Sequence, residues 1–274
     1  MEISNKTTPC IYDAHCHIHE TPDNLNVLEK ETVVFCVQAT KYTDWNDVAR
    51  LKDQHGWRVI PAFGVHPWFA GRVQTGEIPS EWHTKLRQML ELYGGGIVGE
   101  CGLDKVAKDP ETGKAYPFAP QIQLLKKQLL IAHEMGVPIS LHCVRAFGTL
   151  FEVLKEAESK GTLPPRIMLH SYSGSPDMLK QVLLKGKLGK HVYVSVSWFV
   201  NGRNTLKSKE CIAAVPECRL LVESDLHDAK EALPALERII GFVAEVRGWT
   251  LQEARSKLMA NSRAFFNIDS RNSI

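Results

Sequence analysis

Residues 12–20 read YDAHCHIHE, at the end of the short apolar run IYDA. Asp13, His15, His17 and His19 thus crowd where a strand leaves the core. In an extended strand alternate side chains face opposite ways, so Asp13, His15 and His17 are expected on one face and Ala14, Cys16 and Ile18 on the other. Such a strand is either a polar edge or a strand that binds something along one face.

Seven more apolar runs follow CIYDAH (10–15). They are TVVFCVQA (32–39), RVIPAFGVH (58–66), GGIVGE (95–100), VPISLHC (137–143), RIMLH (166–170), HVYVSVS (191–197) and RLLVES (219–224). Most are continuous rather than alternating, as parallel strands covered on both faces should be. Helical patterns lie between them over 43–56, 121–136, 175–186, 233–248 and 251–266, and 105–120 reads as a long polar loop. Strands alternating with helices predict an α/β fold, either a (β/α)8 barrel or a doubly wound open sheet.

The runs end on side chains of one chemical kind. The first ends in His15 and His17, the third in His66, the fourth in Glu100, the fifth in His142, the sixth in His170, and the eighth in Glu223 and Asp225. A barrel gathers the C-terminal ends of its strands on one face, whereas an open sheet spreads them along a line. Singly, each residue has an ordinary reading: a hydrogen-bonded structural histidine, a turn anchored by Asp13, a lysine paired with Glu223. Together they point to a metal centre of imidazole and carboxylate without thiolate, which suits Zn²⁺, Mn²⁺ or Mg²⁺. Cys16, Cys101 and Cys143 each follow a proposed ligand and are expected between sheet and helices as small core residues.

Composition sets the outer limits. With 274 residues, 44% hydrophobic and 23% charged, the chain suits a globular protein, read here as a single barrel domain over 1–274. A net charge of +2 carries no bulk signature of nucleic-acid binding, so any polyanion must be held locally. No apolar run approaches a membrane span, and MEISNKTTPC lacks the apolar stretch of a signal peptide. Seven cysteines without a CxxC pair suit reduced thiols, hence a cytoplasmic or nuclear setting.

The chain resembles the TatD family of metal-dependent deoxyribonucleases, in the amidohydrolase superfamily. DAHCHI (13–18), GVHPW (64–68), GECGLD (99–104), Gln121 to Gln128, LHCVRA (141–146), HSYSGS (170–175), ESD (223–225) and NSRAFF (261–266) occur in the family's order and span essentially the whole sequence. The resemblance implies a TIM barrel and two divalent ions: His15, His17 and Asp225 on one, His142 and His170 on the other, Glu100 bridging. It implies cleavage of DNA phosphodiesters, often from the 3′ end. The partner expected is DNA with single-stranded or frayed ends, read without sequence specificity, since no helix-turn-helix or zinc-finger pattern appears. The fifth-strand motif departs from the commoner His-x-Arg, because two residues separate His142 from Arg145; a sub-branch pairs HCVRA with GLDK, and both are present. ESD stands for Glu-Thr-Asp, and LHDAK (226–230) lacks the usual proline turn.

On this reading Asp225 takes the proton of the attacking water and Glu100 shares the catalytic centre. Arg145, His66 and Asp104 form the substrate side: Arg145 is a candidate phosphate fork, against a plain helix cap, while His66 and Asp104 position rather than ligate. Tyr172 and Trp198 are candidates to stack on bases, against simple loop packing, with Asn201 and Arg203 beside them. Two other readings stay open: an amidohydrolase of small esters, amides or phosphoesters, and a barrel kept mainly as a protein-interaction scaffold.

Overall fold

The apolar runs become parallel strands: β1 (Ile11–Cys16), β2 (Val33–Gln38), β3 (Val59–Phe63), β4 (Ile97–Asp104), β5 (Ile139–Val144), β6 (Ile167–Leu169), β7 (Val192–Ser197) and β8 (Leu220–Glu223). The computed structural model describes residues 11–29, 33–109, 112–203 and 205–268. The expected strand ends Cys10 and Thr32 and the loop residues Pro110 and Glu111 lie outside these. The strands pair in sequence order from β1 to β8. The sheet then returns on itself, with Asp225 N donating to His15 O (3.0 Å) and His17 N to Leu226 O (2.8 Å). This is the (β/α)8 barrel, and the closing contacts exclude the open sheet.

Asp13 does not anchor a turn, and it does not share a face with His15 and His17. It is fully buried at the seam between β1 and β8, accepting from Ser224 N (2.9 Å) and Ser224 Oγ (2.5 Å). Burial pushes its carboxyl up to about 7, although the Ser224 bonds pull the other way. The reason for the changed face is a slip in the strand: Asp13 pairs with Phe35 but Cys16 with Val37, so β1 holds one extra residue. Tyr12 and Ala14 therefore point into the barrel, while Cys16 and Ile18 join the outer core. β4 slips likewise, Val98 pairing with Ile139 and Cys101 with Leu141. Cys16, Cys101 and Cys143 all lie in the outer core, as expected.

The expected helices appear as Trp45–His55, Phe118–Glu134, Ala229–Arg247 and Leu251–Phe266. The third starts earlier than its pattern, because Asp228 caps it by accepting from Lys230 N (2.9 Å). Over 175–186 there is only a turn, Pro176–Met178, capped by Ser175 and followed by a π-helical turn over Leu179–Leu183. Phe147–Lys160, Trp82–Leu92 and Leu206–Ala214 add further helices around the barrel. Among the described residues no helix is long and apolar enough to cross a membrane.

The barrel interior is apolar at the start of the strands. There Tyr12, Val34, Ile60, Met168, Tyr193 and Leu221 meet Phe265 and Phe266 from the last helix. Phe266 stacks on Tyr12 at 6.3 Å and Phe265 meets Tyr193 edge-on at 5.2 Å. The helix Leu251–Phe266 thus plugs one mouth, and the other is left for chemistry. Phe265→Ala, which empties a fully buried site, should cost about 3–5 kcal/mol of stability in urea unfolding while leaving metal content at the far mouth unchanged.

Candidate metal centre

Glu100 stands at the centre of the open mouth, buried to 4% side-chain exposure. Its two oxygens divide the histidines. Oε2 lies 3.4 Å from His15 Nε2 and 3.3 Å from His17 Nε2. Oε1 lies 2.9 Å from His142 Nδ1, 2.9 Å from His170 Nε2 and 3.4 Å from His66 Nε2. Asp225 Oδ1 approaches His15 and His17 at 3.8 and 3.7 Å, on the side where its side chain is 26% exposed. Five strands and the β8 end therefore bring all six expected ligands together, with His66.

Four of these imidazoles are fixed from behind. His17 Nδ1 bonds to Gln38 O (3.0 Å), which accepts only, so Nδ1 donates and Nε2 faces inward. His15 Nδ1 meets Ser140 Oγ (2.9 Å), His170 Nδ1 meets Glu223 (3.4 Å), and His142 Nε2 meets Asp104 Oδ2 (3.3 Å). A ring whose outer nitrogen is held this way presents its inner nitrogen as a metal ligand. His66 is wired in the opposite sense. Its Nδ1 accepts from Trp68 N (3.3 Å), so in the neutral ring Nε2 carries the hydrogen and donates to Glu100. Burial holds His66 down to about 4, which keeps it neutral.

Charge follows from this crowding. Burial raises Glu100, but His66, His170 and His15 overcome it and hold the carboxyl well below its usual range. Burial lowers His17, yet Glu100 and then Asp225 push it up to about 9. His170 is likewise raised well above its ordinary value by Glu100 and Glu223 against burial. Burial, joined by His170, lowers His15. A carboxylate so held, with imidazoles on both oxygens and carboxylates behind them, is a donor set that fits divalent metal.

Apart from His66 and Asp104, the sequence did not show which residues support the site. Among the described residues Glu223 pairs with no lysine; it is buried in the barrel and accepts from Ser171 N (2.7 Å), Ser171 Oγ (2.7 Å) and Ser195 Oγ as well as backing His170. Ser140 and Gln38 are visible only as polar residues inside apolar runs. Gln121 accepts from Asp104 N (2.8 Å), and Gln128 brackets Val65 N (2.8 Å) and O (3.0 Å), so the two glutamines fix the ends of β4 and β3. Gly102 has φ 149°, and a Cβ there would lie 2.0 Å from His142 O, so only glycine lets β4 pass His142.

The substrate-side expectations divide. Arg145 is exposed, with φ 51°, and no side chain caps the helix Phe147–Lys160, so the capping role is not seen. Asp104 turns away from solvent: it accepts from Val106 N (3.0 Å), Ala107 N (2.9 Å) and Trp68 Nε1 (2.9 Å). Tyr172 is buried, its hydroxyl donating to Ser175 O (2.9 Å), which is the packing reading. Asn201 is buried too, bonding Ser197 N and Tyr172 O. Trp198 packs against the core, and Arg203 is exposed, its Nε donating to Phe199 O (3.2 Å). A smaller group, His19, Glu20 and Asp44, lies beside the centre.

Barrel and donor set together define a metal-dependent hydrolase with an amidohydrolase-like fold. The chain belongs to the TatD related DNase family, which matches residues 12–267. It is 27% identical to the Cut9-interacting protein scn1 of Schizosaccharomyces pombe, over 94% of this chain and 99% of that protein. To the 3′-5′ ssDNA/RNA exonuclease TatD of Erwinia tasmaniensis it is 28% identical, over 81% and 82%. The crystal structure of YjjV, a TatD homolog from Escherichia coli, superimposes with a TM-score of 0.75 at 25% identity, covering 96% of this chain and all of that one.

Asp104→Asn keeps the shape but weakens the acceptor behind His142. Metal affinity should fall about 10–100-fold, measured by competition with a chelating dye, with the melting temperature of the metal-free protein little changed.

Proposed function

We propose that this protein hydrolyses phosphodiester bonds in single-stranded or frayed DNA, without sequence specificity, with the help of two divalent ions. The observation that carries the reading is the division of the histidines between the two oxygens of Glu100. His15, His17 and Asp225 would hold one ion, His142 and His170 the other, with Glu100 shared; Mg²⁺, Mn²⁺ and Zn²⁺ all suit these donors. When bound, such ions supply a water of lowered pKa and positive charge facing the phosphate.

The chain's own groups do the rest. Asp225 is the ligand carboxylate on the open side, with Oδ2 fixed by Ser171 Oγ (3.2 Å), so its carboxylate is placed to take a proton from the attacking water. His66 donates to Glu100 and steadies it; Asp104 steadies His142. Arg145, exposed beside His142, offers a planar fork for two phosphate oxygens. The curated TatD relative is named for single-stranded DNA and RNA, which supports a nucleic-acid substrate. The relative named for interacting with Cut9 supports testing a protein partner as well.

Purified protein with Mg²⁺ or Mn²⁺ should shorten end-labelled single-stranded DNA faster than duplex, and should leave small carboxylic esters largely untouched. Glu100→Gln should lower that rate by orders of magnitude with the fold intact. Replacing His15 and His17 by Ala should remove mainly one ion, and replacing His142 and His170 mainly the other; equal loss of both ions in each variant, counted by anomalous scattering, would refute the shared-carboxylate arrangement. Arg145→Ala should weaken transition-state binding by about 1.5–3 kcal/mol with metal content unchanged, and Arg145→Lys should fall between it and wild type.

A further inference from the structure

Trp68 is 41% exposed although it is fixed on several sides. Its indole Nε1 donates to Asp104, its ring meets His66 edge-on at 4.7 Å, and it lies nearly parallel to Tyr116, 9° apart in plane and 6.1 Å between centroids. His66 in turn touches Glu100. A rigid aromatic pair thus stands one imidazole away from the metal centre, part of it open to solvent. A large exposed aromatic that is already immobilised loses little entropy when something packs on it.

The chain segments beside it supply cations, while the Asp104 carboxylate is taken up by the Trp68 indole and by backbone N–H groups. Tyr116 belongs to the segment between β4 and the helix Phe118–Glu134, which also carries exposed Lys105, Lys108 and Lys114. Lys105 N donates to Val144 O (3.1 Å), which sets it next to exposed Arg145. Asp109, on the same segment, is turned to the loop's own backbone, accepting from Thr112 N (2.8 Å). Aromatic faces beside a row of cations are the physical means by which proteins hold single strands, the rings taking bases and the cations taking phosphates.

We infer that Trp68 and Tyr116 form a stacking subsite for a nucleobase next to the cleaved phosphodiester, with Lys105, Lys108, Lys114 and Arg145 tracking the strand. This rests on the nuclease reading and adds a base-binding position to it. Trp68 then serves in two ways, because its N–H helps hold Asp104 behind His142 while its ring face receives the base.

The test compares the metal-loaded enzyme on a short single-stranded oligonucleotide and on the same strand with base-lacking residues near the cleaved end. Wild type should lose on the order of 10-fold in kcat/KM without the bases, as expected for stacking. In Trp68→Ala and in Tyr116→Ala that ratio should collapse toward one. Trp68→Phe keeps an aromatic face and should keep most of the ratio, although it loses the bond to Asp104. If Phe behaves as Ala and both lose metal, Trp68 acts only through Asp104 and the subsite is refuted. A wild-type ratio near one also refutes it while leaving the nuclease reading in place. Failure of wild type to cleave either strand overturns the nuclease reading and the subsite together. Variants that change sedimentation instead of base dependence would show the patch to be a self-association surface, which again refutes the proposal.

Discussion

Everything at the open mouth depends on one buried carboxylate. Glu100 is shielded from water, and an isolated charge there would be costly. It is tolerated because imidazoles approach both of its oxygens and share its charge. The reverse also holds, since burial alone would drive protons off His17 and His170, and Glu100 prevents that. Carboxylate and imidazoles are therefore mutually required, which is the condition a divalent cation exploits when it displaces shared protons.

Holding that carboxylate in place is the work of the strands. The extra residues in β1 and β4 fall just before His15 and Glu100. Without them, strict alternation from Tyr12 and Ile97, which point into the barrel, would send His15 and Glu100 outward. The slips let one strand serve the apolar plug below and the polar centre above. Asp13, which precedes the slip and follows inward Tyr12, faces outward to the seam, where it ties β1 to Ser224.

Behind the histidines the barrel is polar in a directed way. Ser140, Gln38 O, Glu223 and Asp104 each accept from or meet the outer nitrogen of one histidine. Asp104 is held in turn by backbone N–H groups and by Trp68, so the order of the centre extends to the exposed rim. Tyr172, Asn201 and Ser175 form a separate bonded layer under the loops after β6 and β7.

The sequence by itself determined the class of fold and the family, and it pointed to the side chains that gather at the open mouth. Eight apolar runs, each ending on His, Glu or Asp at all but two positions, could converge only in a barrel, and the ordered motifs from DAHCHI to NSRAFF placed the chain in its family. Side-chain type and strand position are local properties, and local order records them. Tertiary structure alone decided which way each residue faces and what stands behind it. One inserted residue reverses a strand's faces, and it leaves no mark in composition. His66 and His142 look alike as strand-end histidines; only the Trp68 N–H on one and the Asp104 carboxylate on the other show that their rings are wired in opposite senses. Ser224 and Ser140 act across 211 and 125 positions of chain, and contacts of that reach exist only once the barrel has closed.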